Sequence, residues 1–391
     1  MSDKNFEVIV YGASGFTGKL VVEYLHQQYG SDQNFSWALA GRNQEKLTLV
    51  KDELGISKDV PVLIVDSNDE SSVTEMVTQT KCVLTTVGPY QLYGQNIIKQ
   101  CAQHGTDYVD LCGEPGWMHE MINEYSNQAE ETGARIVFSC GFDSIPFDLG
   151  VFFLQKEVIA KHGKPASSIR GRVRAMNGEF SGGTAASLGA TMASLKKKPE
   201  LFEVLANPFA LSNGFMGPEQ PRDHKPVFDE KLETWVAPFF MAPINTKNVH
   251  RSNALMGHMY GEDFCYNEMW IQGPGEEGKA AAEFVGKTNP LADAPEPGEG
   301  PSRESRENGN YDVLFCADLD DDLEVHASVA GDLDPGYGST SKMIVESAIC
   351  LLKECSGLKG GIYTPAPSMG EKLIARLEAN AGITFKIEKN A

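Results

Sequence analysis

Residues 8–18 read Val-Ile-Val-Tyr-Gly-Ala-Ser-Gly-Phe-Thr-Gly, and Lys19-Leu-Val-Val-Glu-Tyr-Leu follows at once in a helical pattern. A short apolar strand that enters a G-x-x-G-x-x-G turn and leaves as a helix has few folds open to it. One glycine permits the tight turn, one lets backbone approach a pyrophosphate, and one lets the helix pack closely on the strand. The free N–H groups and partial positive charge of the helix start then favour an anion. The segment therefore predicts a dinucleotide site, with Gly12, Ser14, Gly15, Phe16, Thr17 and Gly18 as its phosphate contacts.

The second strand selects between cofactors. It reads Phe35-Ser-Trp-Ala-Leu-Ala-Gly41-Arg42-Asn43. An NAD site ends this strand with a carboxylate that grips the ribose hydroxyls. None stands here. Gly41 leaves space and Arg42 supplies a planar cation suited to a 2′-phosphate, so the reading is NADP(H). Asp66 closes the third apolar run, where it can accept from the adenine amino group. Val87, Gly88 and Pro89 follow the fourth, where a Gly-Pro pair lets backbone pass close to the nicotinamide ribose.

The first 150 residues alternate short apolar runs (7–11, 37–40, 60–65, 82–87, 108–111, 135–139) with helical stretches near 17–29, 43–54, 69–79, 94–104 and 117–132. That rhythm predicts an α/β Rossmann domain, a doubly wound parallel sheet covered on both faces. Past residue 165 the pattern changes. Ser168-Ile-Arg-Gly-Arg-Val-Arg-Ala alternates with period two, as an antiparallel strand with one wet face does. Further strand-like runs lie at 233–236, 258–260, 266–271, 311–317 and 323–329, with a helix near 184–196 after Ser181-Gly-Gly-Thr184. Residues 273–310 read as a helix over about 276–287 and a long exposed acidic loop. The last helices, 340–354 and 369–380, are expected to return to the first domain. The boundaries expected are 1–150, an inserted α+β substrate domain at 151–336, and a returning segment at 337–391.

The chain of 391 residues carries 34 basic and 54 acidic side chains, a net charge of −20. That balance argues against nucleic acid and against simple electrostatic docking to anionic lipid. Its eight cysteines form no C-x-x-C pair, and its histidines show no ligand spacing, so neither a disulfide framework nor a metal site is expected. No apolar run spans a bilayer and no leader is evident, so a cytoplasmic protein is expected.

The glycine loop, Ala40-Gly-Arg, Val87-Gly-Pro-Tyr90, Asp110-Leu-Cys-Gly-Glu114 and Gly141-Phe-Asp-Ser-Ile-Pro146 together resemble the saccharopine dehydrogenase-like oxidoreductases. Gly361-Ile-Tyr-Thr-Pro-Ala-Pro-Ser-Met-Gly370 and Gly382-Ile-Thr-Phe385 are similar to its trans-acting enoyl reductase branch. The resemblance implies a Rossmann domain with an inserted catalytic and dimerisation domain, hence a homodimer, and a pyridine nucleotide. It also implies a lipid or polyketide substrate, delivered at the inner membrane face through peripheral contact.

Several residues carry candidate chemistry. The phenol of Tyr90 can protonate an enolate or stack on a substrate. Asp143, in Cys140-Gly-Phe-Asp-Ser-Ile-Pro-Phe-Asp148, is the favoured polar anchor for substrate or nicotinamide, and Asp148 is expected to cap a helix beginning at Leu149. Asp110 and Glu114 are candidate acid–base groups or braces. Phe209, Phe215, Trp235, Phe239, Phe240 and Met241 can line an apolar cleft. Lys247, His250 and Arg251 are the nearest thing to a site for an amino-acid carboxylate. The reading is an NADP(H)-dependent oxidoreductase that reduces an activated C=C bond of a lipid-like or thioester substrate. A saccharopine-type reductase of an amino-acid imine and a non-catalytic dinucleotide sensor stand as alternatives.

Overall fold

A computed structural model describes residues 4–179, 181–289, 295, 296, 298–320 and 323–389. Its first sheet is built from β1 (Phe6–Tyr11), β2 (Trp37–Gly41), β3 (Val62–Ile64), β4 (Thr80–Thr85), β5 (Asp107–Val109) and β6 (Arg135–Val137). The second contains β7 (Ser168–Asn177), β8 (Val227–Asp229), β9 (Thr234–Pro238), β10 (Cys265–Gly273), β11 (Asn310–Asp320) and β12 (Leu323–Gly331). The C-terminal segment adds a strand to each, β13 (Gly361–Tyr363) to the first and β14 (Ile383–Lys389) to the second.

The first sheet has the order β13-β6-β5-β4-β1-β2-β3 and every pairing in it is parallel. Alternation along β1 shows why its sequence is a continuous apolar run. Val8 and Val10 pack into one helical layer, Ile9 and Tyr11 into the other, and all four are buried. A strand sandwiched this way has no wet face to leave polar.

The second sheet, ordered β14-β12-β11-β7-β10-β9-β8, is mixed: β7 and β10 run parallel and the other pairs antiparallel. The arginines of β7 do alternate, yet their face is paired rather than wet. Arg170 meets Asp229, Asp318 and Glu324, the 3 % exposed Arg172 meets Asp229, and Arg174 meets Asp312 and Glu388. These guanidiniums are tied by multiple bonds, which offsets the cost of taking them out of water.

Three expectations change. Residues 258–260 form a turn rather than a strand, with His258 at φ +60° and Asn253 Oδ1 accepting the Tyr260 N–H at 2.8 Å. The turn ends a helix, Ala242–Leu255, that is buried all round and so shows no amphipathic period. Asp148 lies inside the helix Ile145–His162, with Ser144 at its cap, and holds the Ala366 N–H at 2.8 Å through Oδ2. The acidic stretch is partly folded: Gly275–Val285 is helical, Arg303–Glu307 forms a short helix, and Glu299 accepts the Gly182 N–H. Residues 290–294 and 297 of that stretch lie outside the described residues.

Candidate active site

Parallel register brings the ends of β1, β2 and β4 together: Tyr11 pairs with Ala40 on one side and Thr85 on the other. Gly12 therefore emerges between two neighbours. Its N–H bonds the Ala40 carbonyl at 2.9 Å, and Thr86 N–H bonds Tyr11 O at 3.0 Å. The three glycines divide their work as their spacing predicts. Gly12 has φ +90°, and a Cβ there would lie 2.7 Å from Val87 Cγ2. At Gly18 it would lie 2.0 Å from Gly12 O, so only hydrogen allows the helix Phe16–Tyr29 to sit this close to the turn. At exposed Gly15 it would meet nothing but Gly12 O, at 3.3 Å. Gly15 is also the helix cap and brings no side chain to the first-turn N–H groups. An open, uncapped helix start with Ser14 and Thr17 beside it fits a pyrophosphate.

Gly41 is buried against Leu47, and Arg42 beyond it is exposed, its guanidinium 5.9 Å from the centre of the Tyr93 ring. A cation presented over an aromatic face at the end of β2 fits a ribose phosphate next to a base. Asp66 lies exposed past β3, where Oδ1 accepts the Asn68 backbone and side-chain N–H groups. The cap of the following helix is Asp69, not Asp66. Val87 N–H bonds Thr85 Oγ1, Gly88 is exposed, and Pro89 precedes the short helix Tyr90–Tyr93. The ring of Phe16 is engaged within the protein, edge-on to Tyr337 at 5.2 Å and under the Arg306 guanidinium at 5.7 Å.

Beyond this turn opens a cavity of about 570 Å³. The first domain contributes Thr17, Thr86, Gly88, Tyr90, Gly113, Glu114 and Asp143 to its wall. Met176 of β7 and the helix Gly182–Lys197 close it from the other side, with Tyr337 and Thr340 at the start of the next-to-last helix. Among the expected residues, the cavity gathers Thr17, Gly88, Tyr90 and Asp143; Arg42 and Asp66 stand outside it.

Asp143 is half-buried, and no hydrogen bond reaches its carboxylate from the described residues. Burial pushes its carboxyl up to about 6. Tyr90 has a different part. Its hydroxyl donates to the Thr85 carbonyl at 3.2 Å and accepts the Leu111 N–H at 3.0 Å, while its ring lies 5.7 Å from Trp117. The phenol proton is thus engaged by a backbone carbonyl, and Tyr90, expected as a proton donor, also braces the wall. Glu114 caps the same short helix, accepting the Tyr90 and Gln91 N–H groups at 2.9 Å each. Asp110 ties β5 to β6 through the Cys112 and Ser139 N–H groups and the Tyr108 hydroxyl, and burial raises it to about 7. Burial likewise pushes the Cys140 thiol well up, which keeps it an inert core group.

The aromatic lining came out differently from expectation. Phe240 and Met241 reach the cavity. Phe239 packs on Phe147, Phe209 and Phe215 pack on each other and on His250 and His258, and Trp235 pairs with Phe228. Lys247, His250 and Arg251 are buried in the helix Ala242–Leu255 and point at protein acceptors: Lys247 at the Leu205 and Pro243 carbonyls, His250 at Gln220, Arg251 at the Leu211 and Ile362 carbonyls. Sequence reading missed Tyr337. Its signal was Asp334-Pro-Gly-Tyr-Gly, an acidic cap followed by turn residues.

Comparison with known proteins agrees with the fold. Residues 8–137 match the family model of the saccharopine dehydrogenase NADP binding domain. The chain is 35 % identical, over 99 % of both proteins, to a putative trans-acting enoyl reductase of Mycobacterium tuberculosis. It is 33 % identical, over 96 % of both, to a trans-acting enoyl reductase of Mycobacterium ulcerans. Among solved structures, apo saccharopine dehydrogenase (L-Glu forming) from Saccharomyces cerevisiae superimposes with TM-score 0.56 at 12 % identity, covering 98 % of this chain and 100 % of that one, a likeness of fold. The chain belongs to the saccharopine dehydrogenase-like family, alongside the trans-acting enoyl reductases, and is an NADP-dependent oxidoreductase.

Proposed function

We propose that the protein reduces an activated C=C bond in a lipid-like or thioester-linked substrate held in the cavity beside the glycine turn. The observation that carries this reading is the chemistry of the wall. Met176, Leu188, Met192, Leu195, Phe240 and Ile244 supply apolar surface, and no Arg, Lys or His lines the cavity among the described residues. An amino-acid imine with two or three carboxylates needs cationic partners. A wall of this kind leaves such a substrate unpaired, whereas an acyl chain gains from it. The relatives named as enoyl reductases support the same choice.

When bound, NADPH supplies a hydride to this chemistry. The residues of the chain bind and orient. The helix start at Gly15–Thr17 holds the pyrophosphate, Arg42 the 2′-phosphate, Asp66 the adenine, and Val87–Pro89 the nicotinamide ribose, while Asp143 anchors the reacting end of the cavity. The cytoplasmic side of a membrane suits a lipid-like substrate. Leu188, Met192 and Phe202 are 43 %, 54 % and 69 % exposed, an apolar group that supports peripheral contact with a bilayer through burial of apolar surface rather than through charge. A homodimer is proposed on the family resemblance and is checked by light scattering.

The deciding experiment offers the purified protein NADPH with either a medium-chain 2-enoyl thioester or lysine plus 2-oxoglutarate. Faster oxidation with the enoyl thioester is expected. Faster oxidation with the amino-acid pair overturns the reading in favour of the saccharopine-type reaction.

A further inference from the structure

The wall of the cavity that holds Asp143 also contains a tyrosine fixed in place by its neighbours. Tyr337 lies in a single π-helical turn, Pro335–Ser339, a geometry that recurs at functional sites. The fully buried carboxylate of Asp334 fixes that turn, Oδ2 accepting the Tyr337 N–H at 2.9 Å and Oδ1 the Gly338 N–H at 2.7 Å. The ring is 4 % exposed and held edge-on by Phe16, the first residue of the glycine-turn helix. Tyr337 thus stands between the dinucleotide turn and the apolar cavity, within electrostatic reach of Asp143.

Its hydroxyl has the partners that Tyr90 lacks. Ser181 donates its backbone N–H to the phenol oxygen, and Thr184 Oγ1 lies 3.0 Å from it. The first partner can only donate, and across the second either oxygen can. With Thr184 donating, the phenol oxygen receives two hydrogen bonds and its own proton is left for a third group in the cavity. These two donors are also what a phenolate needs once that proton has gone.

We infer that Tyr337, stabilised by Ser181 N–H and Thr184 O–H, is the proton donor of the reduction. The inference rests on the C=C reading above. Once the β-carbon has been reduced, the former π pair resides on the enolate. The Tyr337 O–H bond breaks as a C–H bond forms at the α-carbon, and the O–H pair stays on the phenolate oxygen. A proton from solvent restores the phenol, so the cycle consumes one NADPH and one proton.

The test compares full-length wild type with Tyr337→Phe, which keeps the ring and its packing on Phe16. With a medium-chain 2-enoyl thioester, kcat is expected to fall about a hundredfold or more, the usual scale for a general acid. Binding of NADPH by fluorescence titration, and of the saturated thioester product, should stay within about twofold in the same range of general binding effects. In D₂O the wild-type product should carry deuterium on one face of the α-carbon, and the variant's residual product on both, because water then protonates unguided. Thr184→Val should lower kcat about tenfold without moving either affinity, since it removes one donor to the phenolate. If wild type fails to reduce the thioester, the C=C reading falls and this role with it. If wild type turns over and Tyr337→Phe keeps its rate and single-face deuteration, Tyr337 alone is overturned.

Discussion

At Arg42 one side chain is proposed to select between two cofactors. It is exposed, stacked over Tyr93, and placed where an NAD site would carry a carboxylate. A charged hydrogen bond is worth about 1.5–3 kcal/mol. Arg42→Ala should therefore weaken NADPH about ten- to a hundredfold by titration and leave NADH nearly unchanged; equal affinities for both cofactors in wild type sink the assignment. Asp143 makes a second prediction through pH. Its carboxyl is raised to about 6 by burial, so the folded state prefers the protonated form. The cost of ionising it in place is absent below about pH 3 and complete above about pH 7, at up to about 3 kcal/mol. Asp143→Asn should thus stabilise the protein at pH 8 and give little gain at pH 3, as read by urea denaturation. An equal gain at both pH values contradicts a desolvated carboxylate.

Elements divide into those whose pattern reports their surroundings and those whose pattern does not. The glycine turn is of the first kind, and its glycines make opposite predictions. Gly15→Val adds a side chain to open space, so the protein should still unfold cooperatively but lose the stabilisation that NADPH gives by binding the native state. Gly18→Ala drives a methyl against the Gly12 carbonyl and should lower stability even without cofactor. Thermal melts with and without NADPH separate the two; an NADPH-induced rise in Gly15→Val equal to wild type moves the phosphate site elsewhere. The strands β1, β2 and β4 were readable because a strand buried on both faces is apolar throughout. The helix Ala242–Leu255 was not. Its Asn245, Lys247, Asn248 and Arg251 are polar in composition and buried in fact, paired to carbonyls, to the Ser144 hydroxyl and to Glu268 that lie far away in sequence. The same blindness hid the catalytic-site geometry: Tyr90 and Tyr337 are both tyrosines near turns, and only their partners distinguish brace from donor.

Across the whole molecule, residues 361–389 bind the two sheets into one structure, since β13 extends the parallel sheet and β14 the mixed one. Arg251 fastens that arrangement. It is 1 % exposed, and its guanidinium donates to Leu211 O and, on β13, to Ile362 O. Burial lowers it to about 10, so it remains a cation at neutral pH. The sequence makes this residue a candidate anchor for a substrate carboxylate, and the two roles predict different losses. As a fastener, Arg251→Ala leaves two buried carbonyls without donors, a cost of about 1–3 kcal/mol each. Urea denaturation should show that loss as a lower midpoint in a single transition, because both sheets depend on the same C-terminal segment. The affinities for NADPH and for the thioester should stay near wild type once folding is corrected for. A variant that keeps its midpoint and loses substrate affinity would return Arg251 to the site, and with it the case for an amino-acid substrate.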